Sequence, residues 1–403
     1  MREDDRVTIR DEAAALTDEI AELRHDIHRE PEIGLQLPRT QRKVLAALAG
    51  LPLEITTGRE LTSVTAVLRG TRPGPVVLLR ADMDALPVTE ATGLPYASRV
   101  DGTMHACGHD LHTAMLAGAA RLLSARRAEL AGSVIFMFQP GEEGCHGARY
   151  MIDEGVLEAA GERPAHAYGI HVLSQELRIG AFSTRPGPFL AATDSLDVTV
   201  LGRGGHASVP FVNADPVPAA CEMVTALQTM VTRRFDVFDP VVITVGSLHA
   251  GTARNVIPDT ATFYATVRSF SEQARKRLEL ESVRLVRDVA HAHGLEADVQ
   301  YTRGYPVTVN DSAEAAFAAE AVSELFGADR ARLRAHPLTG GEDFSYVLEQ
   351  VPGAFIMLGA CPPEADPETA PSNHSAVAVF DDRALADGTA LYAGLALRRL
   401  AAG

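Results

Sequence analysis

One short polar run contains several side chains that can bind a divalent cation. It spans residues 104–112 and includes Cys107 and His109, which lie two positions apart. In an extended segment, residues two apart point to the same side. A thiolate and an imidazole placed there are ligands that Zn²⁺ or Mn²⁺ accepts. We therefore predict metal binding, although a helix-capping loop is the simpler interpretation of any single histidine in it.

A second candidate is a pair of adjacent carboxylates, Glu142 and Glu143, which follows an apolar run and is flanked by glycines. Burying two carboxylates side by side is unfavourable unless cations meet them, and a pair of metal ions would do so. Hydrolysis needs one carboxylate as a metal ligand and another as a general base toward water. Taken alone, however, the pair favours a solvated acidic turn.

Two further histidines could complete a metal site. His171 lies in a short apolar run, where a lone histidine is more often a core residue, and His374 lies in a polar loop near the end. Together the segments offer one cysteine, three histidines and a carboxylate. That set suffices for two divalent ions if the segments converge in space.

The elements around these segments indicate an α/β domain. The apolar runs 76–80 and 133–138 are typical of buried strands, and the alanine- and leucine-rich stretch 111–130 between them is typical of a helix. A strand, a helix and a strand in this order predict a parallel sheet with helices on its faces. Segments that leave the carboxyl ends of such strands line a crevice, which is where the candidate ligands would lie.

The middle of the chain has a different texture. Its elements are a strand, a helix, two strands, a helix and a strand, at residues 195–201, 215–234, 241–248, 260–269, 271–293 and 296–302. This order is that of a ferredoxin-like split βαβ sandwich. We therefore predict two domains. Residues 1–189 and 305–403 form a split α/β/α domain with a central, mostly parallel sheet, and residues 190–304 form an inserted α+β domain.

Composition excludes several classes of function. The chain has 403 residues and a net charge of −16, which opposes binding to nucleic acid because that needs clustered cations. No apolar run reaches the roughly 18 residues of a membrane span, and the N-terminus lacks the layout of a secretory signal. The four cysteines form no closely spaced pair. We therefore expect a cytoplasmic protein without disulfides, nucleic-acid partners or membrane contacts.

Five ordered motifs resemble the two-metal peptidase family that contains the aminoacylases and glutamate carboxypeptidases. They occupy residues 79–87, 105–110, 142–143, 204–207 and 340–344. The branch that they resemble contains N-acyl-amino-acid amidohydrolases, hippurate hydrolases and auxin-conjugate hydrolases. The resemblance implies a zinc-peptidase-like catalytic domain with an inserted lid and dimerisation domain, in a homodimer or homotetramer. It also implies hydrolysis of the amide bond of a small N-acyl amino acid. An aminopeptidase or dipeptidase, or a non-catalytic metal-binding homologue, is the alternative.

The resemblance also implies roles for residues of the metal site. The implied metal ligands are Cys107, His109, Glu143, His171 and His374, with Cys107 bridging two divalent ions in each subunit. Zn²⁺ or Mn²⁺ is the expected metal, and Co²⁺ or Ni²⁺ is possible. Glu142 would be the general acid/base that activates water together with the metals, and Asp84 would orient a metal ligand. The family usually has alanine where this chain has Gly141.

Four residues outside the implied metal site receive roles from the same resemblance. His206 would reach the partner subunit's site and stabilise the developing oxyanion. Asn255 and Arg268 would contact the substrate carboxylate, although a surface cation on a strand explains Arg268 equally well. Gly341 would let the backbone approach the substrate, although a plain turn glycine is the favoured interpretation.

Overall fold

A computed structural model describes residues 3–401 of the chain. Within that range the α-helices are α1 (Glu3–Ala15), α2 (Thr17–Arg29), α3 (Pro38–Ala47), α4 (His109–Ala125), α5 (Gly147–Asp153), α6 (Pro216–Arg234), α7 (Glu272–Ala292), α8 (Ser312–Phe326), α9 (Ser345–Leu348) and α10 (Arg383–Ala401). The strands are β1 (Glu54–Thr57), β2 (Val64–Arg69), β3 (Arg72–Asp82), β4 (Ala131–Gln139), β5 (His166–Arg178), β6 (Phe182–Thr184), β7 (Gly187–Leu190), β8 (Ala192–Leu201), β9 (Gly205–His206), β10 (Val241–Ala250), β11 (Val256–Ile257), β12 (Thr260–Ser269), β13 (Glu296–Arg303), β14 (Thr308–Asn310), β15 (Ala331–Leu333) and β16 (Gly353–Cys361).

The chain forms two compact units. The first consists of Met1–Phe189, Val309–His336 and Asp343–Gly403, and the second consists of Leu190–Thr308 and Pro337–Glu342. None of the helices within residues 3–401 has the length and apolar character that crossing a bilayer requires.

The first unit is built on an eight-stranded sheet in the order β1-β2-β4-β3-β5-β16-β6-β15. Its central strands run parallel, because β3 pairs in parallel with β4 and β5, and β5 pairs in parallel with β16. Antiparallel pairs of β1 with β2 and of β2 with β4 extend one edge. The predicted α/β class with a mostly parallel central sheet is thereby confirmed.

Helix α4 is the central helix of the first unit and packs against α2, α10 and β3. It begins immediately after Gly108, whose φ of +82° suits glycine better than any other residue. A Cβ atom at Gly108 would also lie 2.3 Å from Cγ2 of Val172 in β5. These two constraints bring the first turn of α4, with His109, close to the middle of β5.

The second unit is an antiparallel four-stranded sheet in the order β10-β12-β8-β13, with helices α6 and α7 packed on it. Side chains of β8 alternate between buried and partly exposed, so Leu196, Val198 and Val200 enter the core. Asp215 and Ser271 accept hydrogen bonds from the first turns of α6 and α7, which fixes where both helices begin. This is the ferredoxin-like β-α-β-β-α-β arrangement.

Candidate metal centre

Donor atoms from four distant segments of the first unit meet in two groups. The atoms of Cys107, His109 and His171 lie within 4.8 Å of one another, and those of Cys107, Glu143 and His374 do the same. Cys107 belongs to both groups, so its sulfur lies within 4.8 Å of a donor atom of each of the other four residues. The five residues come from the loop leading into α4 and its first residue, the loop after β4, the strand β5 and the loop after β16.

Two short contacts define this cluster. Sγ of Cys107 lies 3.4 Å from Nε2 of His171, and Nε2 of His374 lies 3.2 Å from Oε1 of Glu143. Nδ1 of His171 lies 2.8 Å from the carbonyl oxygen of Val172. Because a carbonyl oxygen only accepts, Nδ1 carries a proton, and the lone pair of Nε2 can face the centre.

Asp84 holds the paired glutamates in place. Its two carboxylate oxygens accept the backbone N–H groups of Glu142 and Glu143, both at 2.9 Å. Its Oδ1 also lies 3.5 Å from Nδ1 of His109. Asp84 is 1% exposed, so these contacts are shielded from water. One carboxylate therefore positions both glutamates relative to His109.

The chemistry of the cluster fits divalent cations. Both ring nitrogens of His109 are buried, and neither makes a hydrogen bond within the described part of the chain. Burial alone would raise the pKa of the Cys107 thiol, but the positive charge of His171 and hydrogen bonds from the imidazoles of His171 and His374 hold this pKa well below its usual value. A thiolate, three imidazoles and a carboxylate are ligands that borderline divalent ions accept. Binding of such ions would release the protons that these imidazoles carry on their ligating nitrogens in the metal-free protein.

Comparison with known proteins identifies the family. The profile of "Peptidase family M20/M25/M40" matches residues 78–398, which include the whole cluster. The chain belongs to this peptidase family. The resemblance inferred from the sequence motifs is therefore confirmed.

Two curated relatives and one solved structure illustrate this M20/M25/M40 membership. An N-acetylcysteine deacetylase from Bacillus subtilis is 38% identical over 84% of this chain and 87% of its own. A hippurate hydrolase from Campylobacter jejuni is 35% identical over 96% of this chain and 97% of its own. A Bacillus subtilis structure described as a dinuclear metal-binding peptidase of the M20 family aligns with a TM-score of 0.81 at 33% identity. That alignment covers 96% of this chain and 99% of the other.

In this M20/M25/M40 member, His206 and Asn255 lie together in the second unit. His206 in β9 pairs with Val256 of β11, and the carbonyl of Asn255 accepts the N–H of Ala207 at 3.1 Å. Both predicted residues are exposed. Nδ1 of His206 accepts the N–H of Ser208 at 3.1 Å, so a neutral ring carries its proton on Nε2.

Arg268 and Gly341 have different surroundings within the second unit. Arg268 lies eight residues beyond Thr260 in β12, roughly 27 Å along the strand from the end that carries β9 and β11. Half-burial lowers the pKa of its guanidinium, and one nitrogen donates to the carbonyl of Val267. A Cβ atom at Gly341 would lie 2.2 Å from Cγ2 of Thr193, so packing against Thr193 already requires a glycine there.

The sequence interpretation assigned no role to Asn373, which ties three of the converging segments together. Its side-chain nitrogen donates to the carbonyl of Val172 at 3.0 Å and lies 3.7 Å from Sγ of Cys107. Its side-chain oxygen accepts the N–H of Ser174 at 3.0 Å. The next residue, His374, has a left-handed φ of +70°, which is uncommon outside glycine and often found at functional sites. The only available signal was the position of Asn373 beside a candidate ligand.

Proposed function

We propose that this peptidase-family member hydrolyses the amide bond of small N-acyl amino acids, with Glu142 as the general acid/base. The observation that carries the proposal is the juxtaposition of two donor groups that share Cys107 with a neighbouring, mostly buried carboxylate. A protein that only binds metal would have no need for that extra carboxylate. Relatives named as deacetylases and a hippurate hydrolase support the same class of substrate.

Two divalent ions, held by Cys107, His109, Glu143, His171 and His374, would supply Lewis acidity toward the amide carbonyl and lower the pKa of the attacking water. Glu142 takes a proton from that water as the water attacks the carbonyl carbon. Glu142 then delivers this proton to the nitrogen of the leaving amine, so its carboxylate ends the cycle as it began. Asp84 keeps Glu142 in reach through the 2.9 Å bond to its backbone N–H.

The test of the Glu142 assignment is the substitution Glu142→Gln, which keeps the size of the side chain but removes its basicity. We expect turnover of N-acetyl, N-benzoyl and indole-acyl amino acids to fall by about 10²- to 10⁴-fold, because general acid–base catalysis contributes that much. Metal content, measured by mass spectrometry, should stay at the wild-type level. Glu162→Gln at an exposed position is the matched control. Near-normal turnover by Glu142→Gln would refute the assignment.

We also propose that Nε2–H of His206 stabilises the oxyanion in the partner subunit's site. Because Asn255 lies beside His206, both residues would contact the same substrate. Arg268 lies at the far end of β12 and would instead contact the substrate in the other site of the dimer. Hybrid dimers test this arrangement. Co-expressed His206→Ala and Glu142→Gln chains would each be inactive in homodimers, but a hybrid has one complete site. Hybrids without activity would show that His206 does not act across subunits.

An exposed edge strand in the second unit supports assembly into a homodimer or homotetramer. Strand β10 lies at one edge of the four-stranded sheet, where unpaired backbone groups can bind another strand. Val242 and Leu248 in β10 are exposed although they are apolar. We propose that β10 contributes to the subunit interface. Light scattering should give at least twice the 43.0 kDa chain mass, and a monomer at assay concentration would contradict the proposal.

We further propose that the inserted domain, residues 190–304, moves as a lid and excludes water from the substrate. Small-angle scattering should then show a more compact particle when a substrate-like inhibitor is bound. Identical profiles with and without inhibitor would argue against this motion.

We propose Zn²⁺ as the metal, because a cysteine ligand favours it over Mn²⁺, Co²⁺ and Ni²⁺. Reconstitution with each of the four ions would rank them by the hydrolytic activity that they support. Free dipeptides in the same assay would test the aminopeptidase or dipeptidase alternative.

A further inference from the structure

A buried histidine without an assigned role lies one helical turn beyond His109. His112 is fully buried in α4, and its ring centroid is 5.3 Å from that of His109 and 4.7 Å from that of His171. Its Nδ1 lies 2.5 Å from Oδ1 of Asp82, and its Nε2 lies 2.8 Å from the backbone nitrogen of Val172. Both nitrogens therefore have protein partners.

These partners fix the tautomer of His112. The backbone N–H of Val172 can only donate, so Nε2 of His112 accepts and its lone pair is used. Nδ1 then carries the proton and donates it to the Asp82 carboxylate. No lone pair remains for a cation, although donor atoms of Asp82, His109 and His112 lie within 4.8 Å of one another. His112 is thus not suited to be a metal ligand itself.

The two partners of His112 lead to two candidate ligands. Val172 follows His171 directly, so the bond to its N–H holds the backbone beside the His171 imidazole. Oδ2 of Asp82 lies 3.6 Å from Nε2 of His109, and Asp82 is itself held by Arg80 at 2.7 Å. His112 therefore links Val172, which neighbours His171, to Asp82, which neighbours His109, although these candidate ligands belong to different segments of the chain.

We propose that His112 is a positioning residue that sets the relative placement of His109 and His171 for metal binding. This inference rests on the proposed metal-dependent function. Hydrogen bonds of this kind fix ligand orientation, and their removal typically costs 10- to 100-fold in metal affinity. His112 would act through Val172 and Asp82, without touching substrate or metal.

Cobalt(II) titration of the metal-free protein tests this role, because the d–d and thiolate charge-transfer bands report the coordination geometry. His112→Phe keeps a ring but removes both hydrogen bonds, and we expect cobalt affinity to fall about 10- to 100-fold with shifted bands. His112→Gln places an amide oxygen near the position of Nε2, and His112→Asn places an amide nitrogen near that of Nδ1. Each should recover part of the loss. The number of ions bound at saturation should stay at two.

The matched control is His166→Phe. His166 lies on the same strand as His171, and its Nδ1 lies 3.0 Å from Glu314, outside the cluster. This variant should lose thermal stability without any change in cobalt affinity or band positions.

Wild-type affinity and bands in His112→Phe would overturn the inference, and so would the loss of one ion at saturation, which would make His112 a ligand. If His112→Phe does not fold, wild-type affinity in both His112→Gln and His112→Asn would overturn it equally. Failure of the wild-type chain to bind two cobalt ions would instead refute the proposed function, and the inference with it.

Discussion

The two hydrogen bonds that Asp84 accepts should determine how rigidly the paired glutamates are held. In Asp84→Asn, the amide oxygen can accept one of the two N–H groups, but the amide nitrogen turns toward the other N–H and cannot accept it. One charge-assisted bond, typically worth about 1.5–3 kcal/mol, is lost, and the second becomes a weaker neutral bond. Since Asp84 is 1% exposed, water cannot readily replace the carboxylate. We expect local opening of the Glu142–Glu143 segment to become easier by about 2–4 kcal/mol.

Backbone hydrogen exchange measures this opening directly, because a protected amide exchanges only when its hydrogen bond breaks. A change of 2–4 kcal/mol corresponds to roughly 30- to 700-fold faster exchange of the Glu142 and Glu143 amides in the metal-free protein. The exposed substitution Asp101→Asn is the control and should leave these two amides unchanged. Wild-type exchange rates in Asp84→Asn would show that the Asp84 carboxylate does not hold the paired glutamates.

Three further predictions concern the stability of the first unit, and each is measured by chemical denaturation of the full chain. Arg80→Met leaves two buried aspartates without their cation and should cost about 3–5 kcal/mol, so an unchanged midpoint would contradict it. Gly141→Ala should cost about 2–4 kcal/mol, because φ is +72° and the new Cβ would lie 2.5 Å from Leu35, whereas Gly144→Ala, with open space, should cost less. The third prediction concerns the pKa of Glu90. Burial raises this pKa, but a hydrogen bond with His28 and further hydrogen bonds outweigh burial and lower it from 4.5 to about 2. The stabilisation from Glu90 is therefore complete above pH 4.5 and is lost as the pH falls toward 2, and Glu90→Gln should flatten this slope.

The sequence predicted the fold where patterns are local. The order of strands and helices in the second unit follows from alternation, periodicity and helix caps, which neighbouring residues determine. The order of the eight strands in the first unit depends on which strands pair across long loops. No local pattern contains that information, so the antiparallel edge formed by β1 and β2 was not predicted.

For the metal centre, residue types and motif order predicted which side chains converge, but not what holds them. One partner of His112 is the backbone N–H of Val172, 60 positions away, and backbone groups are identical in every sequence. The side chain of Asn373 donates to the carbonyl oxygen of the same residue, Val172, and no sequence motif marks Asn373. The close approach of Gly341 is to Thr193, a contact that only the folded second unit creates.

Anomalous X-ray diffraction at the absorption edge of the bound metal would locate the ions relative to the five proposed ligands. For crystals of metal-reconstituted protein, we expect two peaks in each chain, one on each side of the Cys107 sulfur. One peak should lie among the side chains of Cys107, His109 and His171, and the other should lie next to Glu143 and His374. A single peak, or peaks located away from the Cys107 sulfur, would show that these residues do not hold a pair of metal ions.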